Sequence, residues 1–165
     1  MEQKTQTLTL KYFVYGTLKK GHGNHRIAGR PDKIEPALVV GNLRAGGVPF
    51  LELPEDNKLF MGTGSPAQDM KNLAKAKNAF ERRFNYLEDF SIVKGEVFTY
   101  KGDAEYLATV TTRMDRLEGY NPNNPYYAVY TRIVTLTTDG TPVMVYDAVP
   151  NGFRLLGTPG NIVEF

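Results

Sequence analysis

The sequence predicts an α+β protein built on a mixed, barrel-like β-sheet. Two observations carry this. Segments of strand length rich in β-branched and aromatic residues outnumber helical ones. Only one long helix and one or two short ones interrupt them, without the strand–helix alternation of a doubly wound sheet. At 165 residues, 1–165 has the length of a single domain and can bury a core without disulfides or metal.

The elements follow in order. Leu8 to Tyr15 is nearly continuously apolar or aromatic from Tyr12 onward, as in a strand buried on both faces. Gly16 and Gly21 bracket a turn, and Asn24 to Ala28 reads as a short helical turn. Ile34 to Gly41 is a strand centred on Ala37-Leu38-Val39-Val40. Gly46-Gly47 is a turn leading into a strand that ends at Leu53, and the polar stretch Pro54 to Gly64 is a loop.

Ser65 to Asp89 is the clearest helix. Ser65 is a fitting N-cap, Pro66 suits the first helical position, and Gln68 stands in the capping-box position. Met70, Leu73, Lys77, Phe80, Phe84 and Leu87 recur at three and four. Lys71, Lys75, Arg82 and Arg83 lie off that stripe, as a solvated face or a partner contact. Ile92 to Tyr100 is a strand. Thr111 to Glu118 is a short helix with Thr112 as cap, Asp115 in its capping box and Gly119 as its stop. After the loop Asn121 to Pro125 come strands Tyr127 to Thr137 and Pro142 to Val149, joined by an Asp139-Gly140 hairpin. The tail from Pro150 to Phe165, rich in glycine and proline, is expected to be irregular.

Composition excludes several functions. There is no cysteine, hence no thiolate catalysis, cysteine zinc site or disulfide framework. A net charge of +2 argues against an electrostatic nucleic-acid binder. No apolar run approaches the roughly 18 residues that span a bilayer, and no signal-peptide core follows the polar N-terminus, so a cytoplasmic protein is expected.

Two segments about a hundred residues apart carry the chemistry. In Tyr12-Phe13-Val14-Tyr15-Gly16-Thr17-Leu18 a strand runs into a glycine turn. The N–H groups of Gly16, Thr17 and Leu18 can converge on an anion there, and the same glycine also suits an ordinary turn. In Met114-Asp115-Arg116-Leu117-Glu118, Met114 and Leu117 are expected to face the core, with Glu118 at the edge of that stripe. A partly desolvated carboxylate there would titrate near neutrality, as a general base requires. An exposed glutamate at a helix end is the plainer alternative, and Asp115 is the rival carboxylate. Together, an anion cradle and one placed base make a minimal acyl-transfer site. His22 and His25, three apart, read as a structural or surface pair, for no third metal ligand stands nearby. Tyr126, Tyr127 and Tyr130 with Arg132 form an aromatic segment fit to orient a substrate or simply to build a strand.

These residues resemble the γ-glutamylcyclotransferase-like superfamily, most closely its γ-glutamylaminecyclotransferase and AIG2-like branch. The opening motif stands as Phe13-Val14-Tyr15-Gly16-Thr17-Leu18, extended by Lys19-Lys20-Gly21-His22-Gly23-Asn24-His25-Arg26. The second block is Gly95-Glu96-Val97-Phe98. The third is Met114 to Glu118, followed by Tyr130-Thr131-Arg132. The resemblance covers about residues 11–52 and 93–149. It implies a cavity floored by the Tyr-Gly-Thr-Leu loop and release of 5-oxoproline from a γ-glutamyl amine or γ-glutamyl amino acid. It makes Glu118 the acid/base. Tyr15, Gly16, Thr17, Leu18 and Tyr130 become the substrate contacts, and no cofactor or metal is needed. Against the family pattern, about 53–92 is an insertion that would lid the pocket, reshape it or pair two copies through the 65–89 helix. A non-catalytic pocket for an anionic, nucleotide-like molecule is the competing reading, and an interaction module acting through that helix is a third.

Overall fold

The computed structural model describes residues 6–16, 19, 21, 23, 25–45, 48–82, 89–125, 129–148 and 153–165, with residues 80–82 by backbone alone. The architecture is α+β, as expected. Among the described residues nine strands form one sheet: β1 (Leu8–Val14), β2 (Lys33–Ala45), β3 (Pro49–Glu52), β4 (Phe60–Met61), β5 (Ser91–Gly102), β6 (Tyr130–Leu136), β7 (Pro142–Ala148), β8 (Arg154–Leu156) and β9 (Ile162–Glu164). The hydrogen-bonded order is β3-β2-β5-β1-β7-β6-β4, with β8 on β2 and β9 on β5. The sheet is mixed, since β1 runs antiparallel to β5 and parallel to β7. It is not a closed barrel. It curls far enough for the Leu53 N–H, just after β3, to reach Asp147 Oδ1 on β7 at 2.8 Å, but no ladder joins β3 to β4 among the described residues.

From Tyr12 onward β1 is buried on both faces, as its apolar run requires, while Thr9 and Lys11 before it are half-buried. Leu8, Leu10, Tyr12 and Val14 point into one core, which includes residues of both α-helices. Phe13, and Tyr15 just beyond the strand, point into the other. Each large apolar side chain buried this way contributes about 1.5–3 kcal/mol.

The two α-helices depart from expectation in length. α1 (Pro66–Ala76) starts as predicted: Ser65 Oγ accepts from the Gln68 N–H at 3.2 Å, and Pro66 opens the helix. It is only 11 residues long and tightens into a 3-10 segment over Lys77–Arg82. The remainder of the predicted 65–89 helix, 83–88, lies outside the described residues. α2 (Ala104–Glu118) is the longer at 15 residues. It begins seven residues before the predicted start. Its N-cap is Asp103, whose side chain accepts from the Tyr106 N–H, rather than Thr112. The buried positions Leu107, Val110, Thr111, Met114 and Asp115 follow the three-and-four spacing of an amphipathic helix. Leu117, expected in the core, is exposed. Gly119 ends α2 at φ 74°, in the left-handed conformation that spares glycine the Cβ penalty.

The tail is not irregular throughout, for β8 and β9 add to β2 and β5. The loop over 54–64 likewise holds a short 3-10 turn (Glu55–Asn57) and β4, which pairs β6. Among the described residues no helix is long and apolar enough to cross a membrane.

Candidate active site

A pocket of about 170 Å³ opens where the end of β1, the start of β3, the start of β6 and the end of α2 meet. Tyr15, Gly16, Val48, Pro49, Leu117, Glu118 and Tyr130 line it. Four residues singled out from sequence, Tyr15, Gly16, Glu118 and Tyr130, are thereby brought together. Thr17 and Leu18 lie outside the described residues, as do His22, Tyr126 and Tyr127.

Glu118 is placed by the helix stripe. It stands one turn beyond Met114 and two beyond Thr111, so it continues a buried row past the point where the core ends. Among the described residues its carboxylate has neither a cation nor a hydrogen-bond donor. Burial pushes its pKa up to about 7, with nothing opposing it.

The two tyrosines are fixed by backbone carbonyls. Tyr15 Oη donates to the Tyr146 carbonyl at 2.6 Å, and Tyr130 Oη donates to the Pro49 carbonyl at 2.7 Å. Burial raises the pKa of both hydroxyls, so both stay protonated. With its proton committed, each oxygen retains only acceptor capacity toward a bound molecule. Gly16 is required by close approach, not by a positive φ. A Cβ there would stand 2.7 Å from Pro49 Cγ, inside contact distance and at the pocket wall. The turn closes with the Lys19 N–H donating to the Gly16 carbonyl at 3.1 Å. The buried Lys19 side chain reaches back to the Phe165 carbonyl at 2.7 Å and to Glu164 at 3.4 Å, so the glycine turn is tethered to β9 and the residue after it.

Asp115 has another task than capping. Arg132, fully buried on β6, donates through Nε and Nη2 to the two Asp115 oxygens at 2.9 and 3.2 Å and through Nη1 to Asp69 Oδ2 at 3.0 Å. Tyr146 Oη donates to Asp115 at 2.6 Å, and the Thr63 carbonyl accepts from Arg132 at 2.6 Å. The guanidinium also lies 5.4 Å from the centre of the Tyr120 ring. Burial alone would depress Arg132, but Asp115 more than offsets it and holds the cation in place. Burial also raises Asp115, against the pull of Arg132 and Tyr146. A larger cavity of about 330 Å³ lies over this cluster, between α1 and α2. Both of its carboxylates, Asp69 and Asp115, are engaged by Arg132, so the chemically available carboxylate is the one in the smaller pocket.

Sequence reasoning missed three things here. The first is the Asp69–Arg132–Asp115 cluster. Its only local sign is that Tyr130 and Arg132, two apart on a strand, share a face. The second is Asp147, raised to about 6 by burial but tied by the Leu53 N–H and Lys58. The third is the contribution of Val48 and Pro49 to the pocket wall. His25 packs its ring edge-on against Phe98 at 5.5 Å, a structural position. None of the described residues of 53–82 lines the smaller pocket.

The family model for gamma-glutamyl cyclotransferase, AIG2-like proteins matches residues 12–83. Among solved structures, YkqA from Bacillus subtilis superposes with a TM-score of 0.52 at 18% identity, over 94% of this chain and 40% of that one. An AIG2-like protein from Mus musculus gives 0.48 at 17% identity over 88% and 80% of the two chains. An uncharacterized protein from Pyrococcus horikoshii gives 0.47 at 15% identity over 88% and 84%. At such identities the likeness concerns the fold. No curated protein matches the chain.

Proposed function

We propose that the chain, whose residues 12–83 match the gamma-glutamyl cyclotransferase, AIG2-like family model, is a cyclotransferase releasing 5-oxoproline from a γ-glutamyl conjugate, with Glu118 as general acid/base. The observation that carries this reading is the Glu118 carboxylate, raised to about 7 in a pocket with Tyr15, Gly16 and Tyr130 and without a cation among the described residues that line it. A base of that pKa is half-ionised at neutral pH, where it can both accept and return a proton.

The chemistry asks little else of the protein. The substrate's α-amine nitrogen attacks its own γ-carbonyl carbon, closing the lactam ring. Holding the chain in the folded conformer supplies much of the rate, because both reacting groups are on one molecule. Glu118 takes a proton as the α-ammonium becomes the nucleophile. It returns that proton to the departing amine nitrogen as the old C–N bond breaks, and then accepts the second proton that the ring nitrogen sheds as the lactam forms. The backbone N–H groups of Gly16, Thr17 and Leu18 are assigned to the substrate carboxylate or the developing oxyanion. The Tyr130 oxygen, left with acceptor capacity, is assigned to the substrate ammonium.

We treat 1–165 as one domain, 53–92 as an insertion and the 65–89 helix as a candidate homodimer surface. A mass measurement in solution would exclude that last role by finding only monomer. The anionic-ligand reading has less support, because the described lining residues bring a carboxylate and no cation.

The deciding assay is 5-oxoproline release from a panel of γ-glutamyl amines and amino acids, with wild type and Glu118→Gln in parallel. Release that disappears in the variant supports the assignment; more than a tenth of the wild-type rate remaining removes Glu118 from the role. Gly16→Val, whose side chain meets Pro49, is expected to abolish substrate binding by calorimetry, and undiminished binding would displace the cradle assignment.

A further inference from the structure

The smaller pocket has room for a glutamyl unit folded on itself and little more, so whatever is attached to the γ-carbonyl must leave over the rim. That rim is apolar and open to solvent: Val48 is 45% and Leu117 37% exposed. Beside it, three aromatic rings stack in series. Tyr130 lies 5.5 Å from Phe50, and Phe50 lies 5.2 Å from Phe153, each pair inclined by only 11°. Phe50 is buried in the middle, while Phe153 ends the row 46% exposed. The row therefore runs from a pocket wall out to the surface.

Among the described residues, charge is scarce on this path. No lysine or arginine is among the described lining residues. Arg44, opposite Phe50 in the β2–β3 register, is committed to Glu52 at 3.2 Å and to the Phe153 carbonyl at 3.0 Å. Its role is to hold the outer ring's backbone. An α-carboxylate or an ammonium on the leaving group would give up part of its water against hydrocarbon here, with no partner among the described lining residues.

We infer that the group released with 5-oxoproline is an apolar amine, aryl or branched alkyl, which lies over Val48 and Leu117 and along the Tyr130–Phe50–Phe153 stack. Phe153 and Leu117 set this preference. The inference rests on the cyclotransferase reading and narrows its substrate class.

The test uses one set of γ-glutamyl conjugates: of phenethylamine, of isobutylamine, of glycine and of the lysine ε-amine. Each is prepared free, for lactam release, and N-acetylated, so that it cannot cyclise, for calorimetry. The phenethylamine and isobutylamine conjugates are expected to lead in kcat/KM and, when blocked, in Kd. Phe153→Ala should cut the phenethylamine-over-glycine ratio about three- to tenfold, the range an aromatic contact supplies. Phe153→Leu should restore part of the isobutylamine preference. Leu117→Ala, on a different element, should lower the same ratio. Glycine or lysine conjugates that match or exceed the apolar ones overturn the inference, and so does a Phe153→Ala effect equal on all four. The two levels separate cleanly. Lactam release without apolar preference removes the shelf and keeps the cyclotransferase. Preference among the blocked conjugates without release from any free one keeps the shelf and removes the cyclotransferase.

Discussion

Asp115 and Glu118 stand one turn apart on α2, and burial raises both. Asp115 meets Arg132, Tyr146 and a second aspartate's ion pair; Glu118 meets none of these. The same helix thus carries one carboxylate spent on structure and one left for chemistry. Asp115 is buried and Glu118 half-buried, but what separates their chemistry is the partner. A buried charge given a cation becomes an anchor, and one denied a cation becomes a group that titrates where proton transfer is useful.

Three substitutions, one of them read in two ways, would break or sharpen that contrast. Glu118→Gln should lower turnover by about 100-fold or more, the range of a lost general acid/base, at nearly constant shape; lactam release is the readout. Arg132→Met should destabilise the fold by about 3–5 kcal/mol, because Asp69 and Asp115 would remain buried without their cation. Denaturant unfolding measures this, and a loss under 1 kcal/mol would mean the anchor is dispensable.

Glu118→Gln should also change stability, with a sign that depends on pH. A carboxyl raised from an ordinary pKa of about 4.5 to about 7 favours the folded state while protonated, and that favour is lost as pH rises through this window. Above pH 7 the wild type carries the whole cost, on the order of 3 kcal/mol before relaxation. The neutral variant should therefore be more stable by about 1–3 kcal/mol at pH 8 and indistinguishable near pH 4. Asp147, raised to about 6, adds a similar slope to both proteins and cancels in the comparison. A variant less stable at pH 8 would mean that Glu118 has a partner after all. Tyr146→Phe, which removes one donor to Asp115, is the smallest change. It should cost about 1–2 kcal/mol and leave the pH–rate profile in place, and a displaced profile would show that the two carboxylates are coupled.

The legible parts of the fold were those with local causes. β1 declared its two buried faces, Ser65 and Pro66 their helix start, and Gly119 its stop. The pocket residues were legible because a glycine turn and a carboxylate at the end of a helix stripe each have a recognisable pattern. What stayed hidden was decided at a distance. Thr112 and Asp115 mimic a capping box, and that pattern concealed the true start at Asp103 even though Leu107, Val110 and Met114 already continue the stripe upstream. Asp115 acquires its role only when β6 brings Arg132 beside it. β8 and β9, three residues each, have no periodicity long enough to read and exist because β2 and β5 offer edges to them. The 65–89 helix kept its apolar spacing past Ala76, but the chain there tightens into a 3-10 segment.

The tether from Lys19 to Glu164 and Phe165 joins residues 145 and 146 positions apart. During synthesis the glycine turn emerges long before the groups that hold it. The pocket's floor is therefore set only after β9 has docked on β5. A chain in which 162–165 has not yet docked can have its other strands and its helices in place and still leave Lys19, and with it the glycine turn, untethered.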